Sequence, residues 1–413
     1  MKDGLTADAI GSSRRVGSST PLDRWAVSLV QRRLGTAPVR LVLWDGSSAC
    51  AAMANPLGSV VIKDRGALFN LLRDPNLYFG DAYEAGRLEI QGELVPVLAA
   101  MDRGIRDAQR PVRRARRIRR PRRSKSIQMS RENIHHHYDI GNDFYRLWLD
   151  RDLVYTCAYF ANAAMSLEEA QQAKMELVCR KLHLRKGERV VEAGCGWGSL
   201  ALYMARHYGV TVRAFNISRE QIQYARARAD RENLSDRVEF IDDDYRSIEG
   251  RYDVFVSVGM LEHVGRTHYR ELGETIDRAI HPERGRGLLH FIGRNQPEPL
   301  NAWIRHRIFP GAYPPVLREA IGEVLEPWSF SVLDVENLRL HYARTLEHWL
   351  ERYDQSIDQV RAMFDERFVR AWRLYLAGSQ ATFQTGWLQL FQIVFAREVT
   401  NDVAWTRHEL IWS

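Results

Sequence analysis

The sequence is poor in the features that mark several large protein classes. None of the apolar runs in its 413 residues approaches the length of a membrane span. The opening residues, Met1 to Thr6, carry no apolar signal core, so a cytoplasmic location is expected. The four cysteines, Cys50, Cys157, Cys179 and Cys195, are scattered, with neither a disulfide framework nor metal-ligand pairs. A reducing compartment suits them. Three consecutive histidines, His135 to His137, cannot all face one way, and helical metal sites favour i, i+4 spacing. No metal is expected.

One segment makes the chain basic. The net charge is +7, yet Arg110 to Lys125 (RPVRRARRIRRPRRSK) holds nine Arg, one Lys and no acid; without those ten charges the remainder is net −3. Such a block attracts polyanions, either nucleic acid or anionic lipid headgroups. Its prolines and missing apolar stripe predict an exposed basic linker over 108–130. That linker divides the chain. A flexible polar lead-in over 1–20 precedes a small accessory α/β domain over 21–107, and a large domain spans 131–413. In the small domain, Val39 to Trp44 and Val60 to Lys63 read as strands and Gly66 to Arg73 as a helix; the stretch from Tyr78 turns into a strand by Ile90, and Leu94 to Met101 reads as a helix.

The large domain is organised around Val190-Val191-Glu192-Ala193-Gly194-Cys195-Gly196-Trp197-Gly198. An apolar strand runs into a glycine-rich turn, and Ser199 to Tyr208 follows as a helix with Leu200, Tyr203 and Met204 on one face. Glycines there let the backbone turn sharply and approach a ligand. Upstream, Ser166-Leu167-Glu168-Glu169 is a capping box that opens a helix to about Leu182. Downstream, strands at 210–215, 238–241, 252–258 and 287–292 alternate with helices at 219–230 and 275–280. This alternation predicts a doubly wound, Rossmann-like α/β fold whose site lies at the carboxyl ends of the strands. Residues 131–160, with aromatics among Gly, Asn and Asp, suggest a cap of short helix and turns over that site. The last third has a proline-rich excursion over 295–330, a strand near 328–338, and long helices from Ala343 to about Tyr375. Large side chains such as Trp372, Trp387, Phe391 and Phe395 there have the spacing of core packing.

An acid before three alternate glycines, Glu192-x-Gly194-x-Gly196-x-Gly198, resembles the S-adenosylmethionine loop of class I methyltransferases. A nucleic-acid methyltransferase would also account for the arginines. Base methylation at an amino group needs an Asp/Asn-Pro-Pro-aromatic motif after the fourth strand, and here Gly259-Met260-Leu261-Glu262 stands in that place. No Pro-Cys nucleophile is present either, so no specific nucleic-acid partner is expected.

Four stretches in order carry a closer resemblance: His137-Tyr138-Asp139-Ile140-Gly141-Asn142-Asp143-Phe144-Tyr145, Tyr155-Thr156-Cys157-Ala158-Tyr159-Phe160, the glycine loop, and Ser257-Val258-Gly259-Met260-Leu261-Glu262-His263-Val264-Gly265. With them the chain resembles cyclopropane-fatty-acyl-phospholipid synthases and mycolic acid cyclopropane synthases, from about residue 60 to 397. The small domain joins the match through Tyr83-x-x-Gly86-x-Leu88-x-Ile90. The resemblance implies a class I methyltransferase domain with helical lid insertions, and transfer of a methylene group from S-adenosylmethionine to a cis double bond of a phospholipid acyl chain, with bound bicarbonate as the base. It implies that Cys157, Glu262, His290, the Ile292 backbone and Tyr342 form the bicarbonate cage. It implies that Tyr138, Tyr155 and Thr156 lie near the methionine part of the cofactor, with Glu192, Gly194, Cys195, Gly196, Trp197 and Gly198 cradling it. Asn216, Ile217 and Gln221 would meet the ribose, and Asp243 and Asp244 the adenine edge. The expected partners are unsaturated phospholipids at an anionic membrane surface, met peripherally through the arginine tract, and a second copy of the chain in a homodimer.

Three departures from the family pattern stand out: Glu192 where Asp is usual, Thr156 where Ser is usual, and Asn216 where Thr is usual. Each keeps some hydrogen-bonding capacity. Two alternatives stay open, a fatty-acyl methyl- or methylene-branching enzyme and a small-molecule N- or O-methyltransferase on the same fold.

Overall fold

The structure is a computed structural model that describes residues 17–49, 55–113 and 140–408. Residues 114–139, which hold most of the arginine tract and Tyr138, lie outside the described residues, as does Cys50.

The small domain is built on a three-stranded sheet, β1 (Val39–Leu43), β2 (Gly58–Ile62) and β3 (Leu88–Gln91), with β1 parallel and β3 antiparallel to the central β2. The helix Pro21–Arg33 opens on a capping box between Thr20 and Asp23. Two expectations needed revision. The stretch before β3 is a helix, Pro75–Glu84, because Asp74 caps it and Pro75 occupies the first helical turn, where its missing N–H costs nothing. The helix expected to end at Met101 continues to Arg113, into the segment read as linker. Its buried face (Val97, Ala100, Met101, Gly104) is held by tertiary packing, and Arg106 donates to the Thr385 carbonyl at 2.6 Å.

The large domain carries a seven-stranded sheet in the order β6-β5-β4-β7-β8-β10-β9. These strands are β4 (Arg189–Ala193), β5 (Thr211–Asn216), β6 (Val238–Asp242), β7 (Val254–Val258), β8 (Arg286–Gly293), β9 (Phe330–Asn337) and β10 (Gln389–Arg397). β4 to β8 are mutually parallel, and β10 runs antiparallel between β8 and β9. Chain order reverses at β4, which has β5 on one side and β7 on the other, so a crevice opens at their carboxyl ends. The glycine-loop strand, the capped helix (Leu167–Lys181) and the helices Ser199–Tyr208 and Arg219–Arg231 fall within a residue or two of the sequence reading. β10 was not foreseen as a strand. It is buried on both faces, so its apolar residues show no alternation to betray it.

Helices Arg339–Gln355, Ile357–Met363 and Glu366–Thr385 cap the sheet's active end together with Asn142–Arg146. Their contact is aromatic. Phe144 meets Trp372 edge-on at 5.0 Å, and Trp148 meets Trp349 at 5.6 Å. The small domain shares this core. Arg370 lies over the Tyr83 ring at 4.4 Å and donates to the Tyr83 carbonyl. Trp303 sits so close to Gly80 that a Cβ there would fall 2.3 Å from the indole. Among the described residues no helix is long and apolar enough to cross a membrane.

Candidate active site

One cavity of about 1440 Å³ begins at the carboxyl ends of β4 and β7 and reaches into the small domain. Its walls at the sheet are polar. Its far walls come from the small domain, where Leu34, Val60, Leu71, Phe79, Leu98, Met101 and Ile105 stand alongside the polar Arg33, Asp74, Asn76 and Asp102, with Trp303, Phe309 and Tyr375 between.

The three glycines of the loop do different work, although all have positive φ. Gly198 allows close packing of helix on strand, since a Cβ there would lie 2.5 Å from the Phe240 ring. Gly194 lies against Met260, 3.1 Å from such a Cβ. Gly196 has nothing within 4 Å of its would-be Cβ, which leaves open space for a ligand. The N–H groups of Gly194 and Cys195 both donate to the Phe215 carbonyl, which ties the loop to β5.

Glu192, at the end of β4, is buried, and its Oε2 has no hydrogen-bond partner among the described residues. Burial pushes its carboxyl up to about 8. A buried acid left in this state keeps its proton at neutral pH unless a cation pairs with it. Next to it, Asn216 closes a small network: its Nδ2 donates to Gln221 Oε1 at 2.7 Å and to the Gly196 carbonyl at 3.3 Å, while its Oδ1 accepts from the Ile217 N–H at 2.9 Å. Asp243 Oδ1 accepts from the Asp244 N–H, and Asp244, raised by burial, accepts from the Arg246 N–H. Trp197 donates to Asn142 Oδ1 at 2.7 Å, so the glycine loop is pinned to the cap. Tyr155 and Tyr375 share a hydroxyl–hydroxyl hydrogen bond at 2.8 Å.

At the carboxyl ends of β7 and β8 lies a second polar cluster. Glu262 is buried; its Oε1 accepts from the Ile292 N–H at 3.4 Å, and its Oε2 has no partner among the described residues. Burial raises it to about 7. His290, two residues before Ile292 on the same face of β8, is buried, and its Nε2 likewise has no partner among the described residues. Burial pushes its pKa well below the usual histidine range. Tyr342 lines the cavity and packs on Phe383 at 4.5 Å.

Of the residues singled out in the sequence, the cavity wall holds Tyr155, Thr156, Glu192, Gly194, Cys195, Gly196, Trp197, Asn216, Ile217, Gln221, Asp243, Asp244, Glu262, Ile292 and Tyr342. Cys157, His290 and Gly198 stand behind it. Cys157 is fully buried and donates its thiol hydrogen to the Ala158 carbonyl; burial pushes the thiol up, so it stays protonated. Tyr138 lies outside the described residues.

Sequence reasoning missed Lys174. This lysine is almost completely buried, lines the cavity, and donates to Thr156 Oγ1 at 3.1 Å. Burial pulls its amine down to about 8, opposed by Asp150, Cys157 and Glu192. Gln171, one turn earlier, donates to the Thr156 carbonyl at 2.8 Å. A signal existed, because Gln171, Lys174 and Lys181 recur at helical spacing on the face that also buries Ala170 and Val178.

The family described as mycolic acid cyclopropane synthetase matches residues 125–393. A probable fatty acid methyltransferase of Pseudomonas putida is 34% identical over 389 residues, covering 90% of this chain and 96% of its own. The cyclopropane-fatty-acyl-phospholipid synthase of Escherichia coli K12 is 40% identical over 268 residues, covering 65% of this chain and 68% of its own. Among solved structures, mycolic acid cyclopropane synthase CmaA1 complexed with SAH and CTAB superposes with a TM-score of 0.62 at 28% identity, covering 65% of this chain and 98% of that one.

Proposed function

Because the chain belongs to the mycolic acid cyclopropane synthetase family of S-adenosylmethionine-dependent methyltransferases, we propose that it adds a methylene group across the cis double bond of an unsaturated phospholipid acyl chain, forming a cyclopropane, with bound bicarbonate as the base. The observation that carries this reading is the two-ended cavity of about 1440 Å³: a glycine-walled end with polar groups at the sheet, continuous with a largely apolar end in the small domain that suits a hydrocarbon chain. A small polar acceptor would have no use for the apolar end.

The residues fit both small groups. Glu192 Oε2, without a partner among the described residues, and the Cβ-free space at Gly196 suit the ammonium and backbone-hugging part of S-adenosylmethionine, and the paired amides of Asn216 and Gln221 suit ribose hydroxyls. Glu262 Oε2 and Tyr342 on the cavity wall, with His290 Nε2 just behind it, suit bicarbonate. When bound, the cofactor supplies an electrophilic methyl group on sulfonium and bicarbonate supplies proton-accepting oxygen. The chain's own residues do the rest. An alkene is a feeble nucleophile, so the apolar walls must hold it in place and exclude water. Tyr155, Tyr375 and Phe309 present aromatic surface where positive charge develops on carbon. Glu262 and His290 orient the proton acceptor so that a proton can leave the added methyl as the ring closes.

The arginine tract beyond Arg110 supplies the positive charge for docking on an anionic membrane, from which an acyl chain enters. Liposome binding that ignored both salt and deletion of the tract would refute that docking.

The branching alternative has a specific support: the P. putida relative above, and a tuberculostearic acid methyltransferase of Mycobacterium tuberculosis that is 31% identical over 90% of this chain. Lipids from cells expressing the protein and fed labelled methionine separate the readings. Acyl chains one CH2 heavier with cyclopropane proton signals are expected; the mass gain without ring protons would mean branching, and no lipid change would mean a different acceptor.

A further inference from the structure

The cage residue His290 is held from behind by a chain of three side chains that no catalytic role explains. Lys181, at the last turn of its helix, is buried and donates to Gln392 Oε1 at 2.7 Å. Gln392, on β10 and fully buried, lies directly across from His290 in the β8–β10 register, with its Nε2 2.9 Å from His290 Nδ1. Lys181 also donates to Glu336 at 2.5 Å and sits 3.9 Å from Asp334, which is itself paired with Arg407.

Donor and acceptor chemistry propagates along this chain in one direction. An ammonium has no lone pair, so only the amide oxygen of Gln392 can face Lys181. That fixes the amide, turning its NH2 toward His290. An NH2 only donates, so Nδ1 must accept, and the imidazole must carry its hydrogen on Nε2. The Nε2–H then has no acceptor among the described residues. A buried donor left without an acceptor is costly unless a ligand satisfies it.

We propose that Lys181 and Gln392 are positioning residues that lock His290 as a neutral Nε2–H donor aimed at an oxyanion. His290 is therefore no base in the reaction. It binds and orients, and the largely buried carboxylates Glu336 and Asp334 reach it only by fixing Lys181. The identity of the acceptor as an oxyanion rests on the proposed bicarbonate site; the tautomer does not.

The test is ¹⁵N NMR of the full chain labelled at histidine. The His290 signals are identified by their loss in His290→Asn, or by their displacement in Gln392→Glu if the first variant does not fold. In the unaltered protein His290 should show a protonated Nε2 and an unprotonated Nδ1. A protonated Nδ1 would overturn the proposal. Gln392→Glu puts a carboxylate acceptor opposite Nδ1 and should reverse the tautomer, with turnover falling by ~100-fold, as when an anion-site donor is lost, and S-adenosylmethionine affinity unchanged. A Gln392→Glu protein with the original tautomer and normal turnover would also overturn it. Added bicarbonate should shift the Nε2 resonance. If the tautomer is as stated but the resonance ignores bicarbonate, the positioning role stands and the bicarbonate reading fails.

Discussion

The Lys174 ammonium donates to the Thr156 hydroxyl at 3.1 Å, in the interior of the protein and within electrostatic reach of Glu192. One hydrogen bond thus joins the sequence stretch around Cys157 to the helix Leu167–Lys181, whose lysine acts on Glu192 at the foot of the glycine loop through its charge. While protonated, the lysine is a positive charge near Glu192, the acid proposed to receive the cofactor's ammonium. Its field favours the ionised acid, against burial. Lys174→Met should therefore move the pH midpoint of S-adenosylmethionine affinity upward by ~1 unit. Titration calorimetry from pH 6.5 to 9 reads this, and an unmoved midpoint would separate the two residues functionally.

Glu192 itself gives a second expectation. Its acid is raised to about 8, so at neutral pH it is largely protonated before a cation arrives and must lose the proton to pair with one. Binding at pH 7 should release protons, seen as a dependence of the calorimetric heat on buffer ionisation enthalpy. Glu192→Gln should abolish that release and weaken binding by ~10- to 100-fold, the worth of a charge-assisted hydrogen bond. Its melting temperature should not fall, because a neutral amide is cheaper to bury than a carboxylate.

Glu262 makes a prediction about stability. Its carboxyl is raised from 4.5 to about 7 in the folded chain. Between those values the folded state keeps a proton that the unfolded state has lost, so unfolding becomes easier as pH rises, with a slope of up to ~1.4 kcal/mol per unit. The effect is absent below pH 4.5 and complete above 7. The melting temperature of Glu262→Gln, relative to the unaltered protein, should rise between pH 5 and 7.5, while its turnover is lost. Parallel melting curves would contradict the burial argument.

The glycine loop offers an internal contrast. Gly198→Ala drives a methyl into Phe240 and Ala225 and should cost ~2–3 kcal/mol of stability, by the usual penalty of overpacking plus a strained positive φ. Gly196→Ala meets no protein atom and should cost ~1 kcal/mol from strain alone, yet it should weaken cofactor binding more than any change in melting temperature suggests. Thermal melts and calorimetry on both variants distinguish a packing glycine from a binding one.

Much of this was legible in the sequence, and the failures have physical causes. The helix Ser199–Tyr208 and the capping box at Ser166 were readable because local chemistry determines them. The acid at Glu192 and the post-strand position of Glu262 pointed to the site through the fold's switch-point geometry. Lys174 was passed over because a lysine in a mixed helix reads as a solvated face; its helical spacing with Gln171 and Lys181 gains meaning only once tertiary packing buries that face. Gln392 was hidden for the same reason inside an apolar strand. That the small domain lines the far end of the cavity could not be read from its own residues, since Leu34, Leu71 and Phe79 look like ordinary core until the third dimension brings them to the site.

The antiparallel placement of β10 has a consequence for how the protein comes into being. The strand wedged between β8 and β9 begins at Gln389, 103 residues after β8 begins at Arg286, and after nearly everything else in the domain. During synthesis, β8 must wait as an open edge, with His290 facing an empty lane and Lys181 without its amide partner. The support behind His290 is therefore completed only when Gln392 arrives. A nascent chain halted before residue 389 would hold the glycine loop but no oriented histidine, and would carry a bare apolar edge of the kind that recruits other strands.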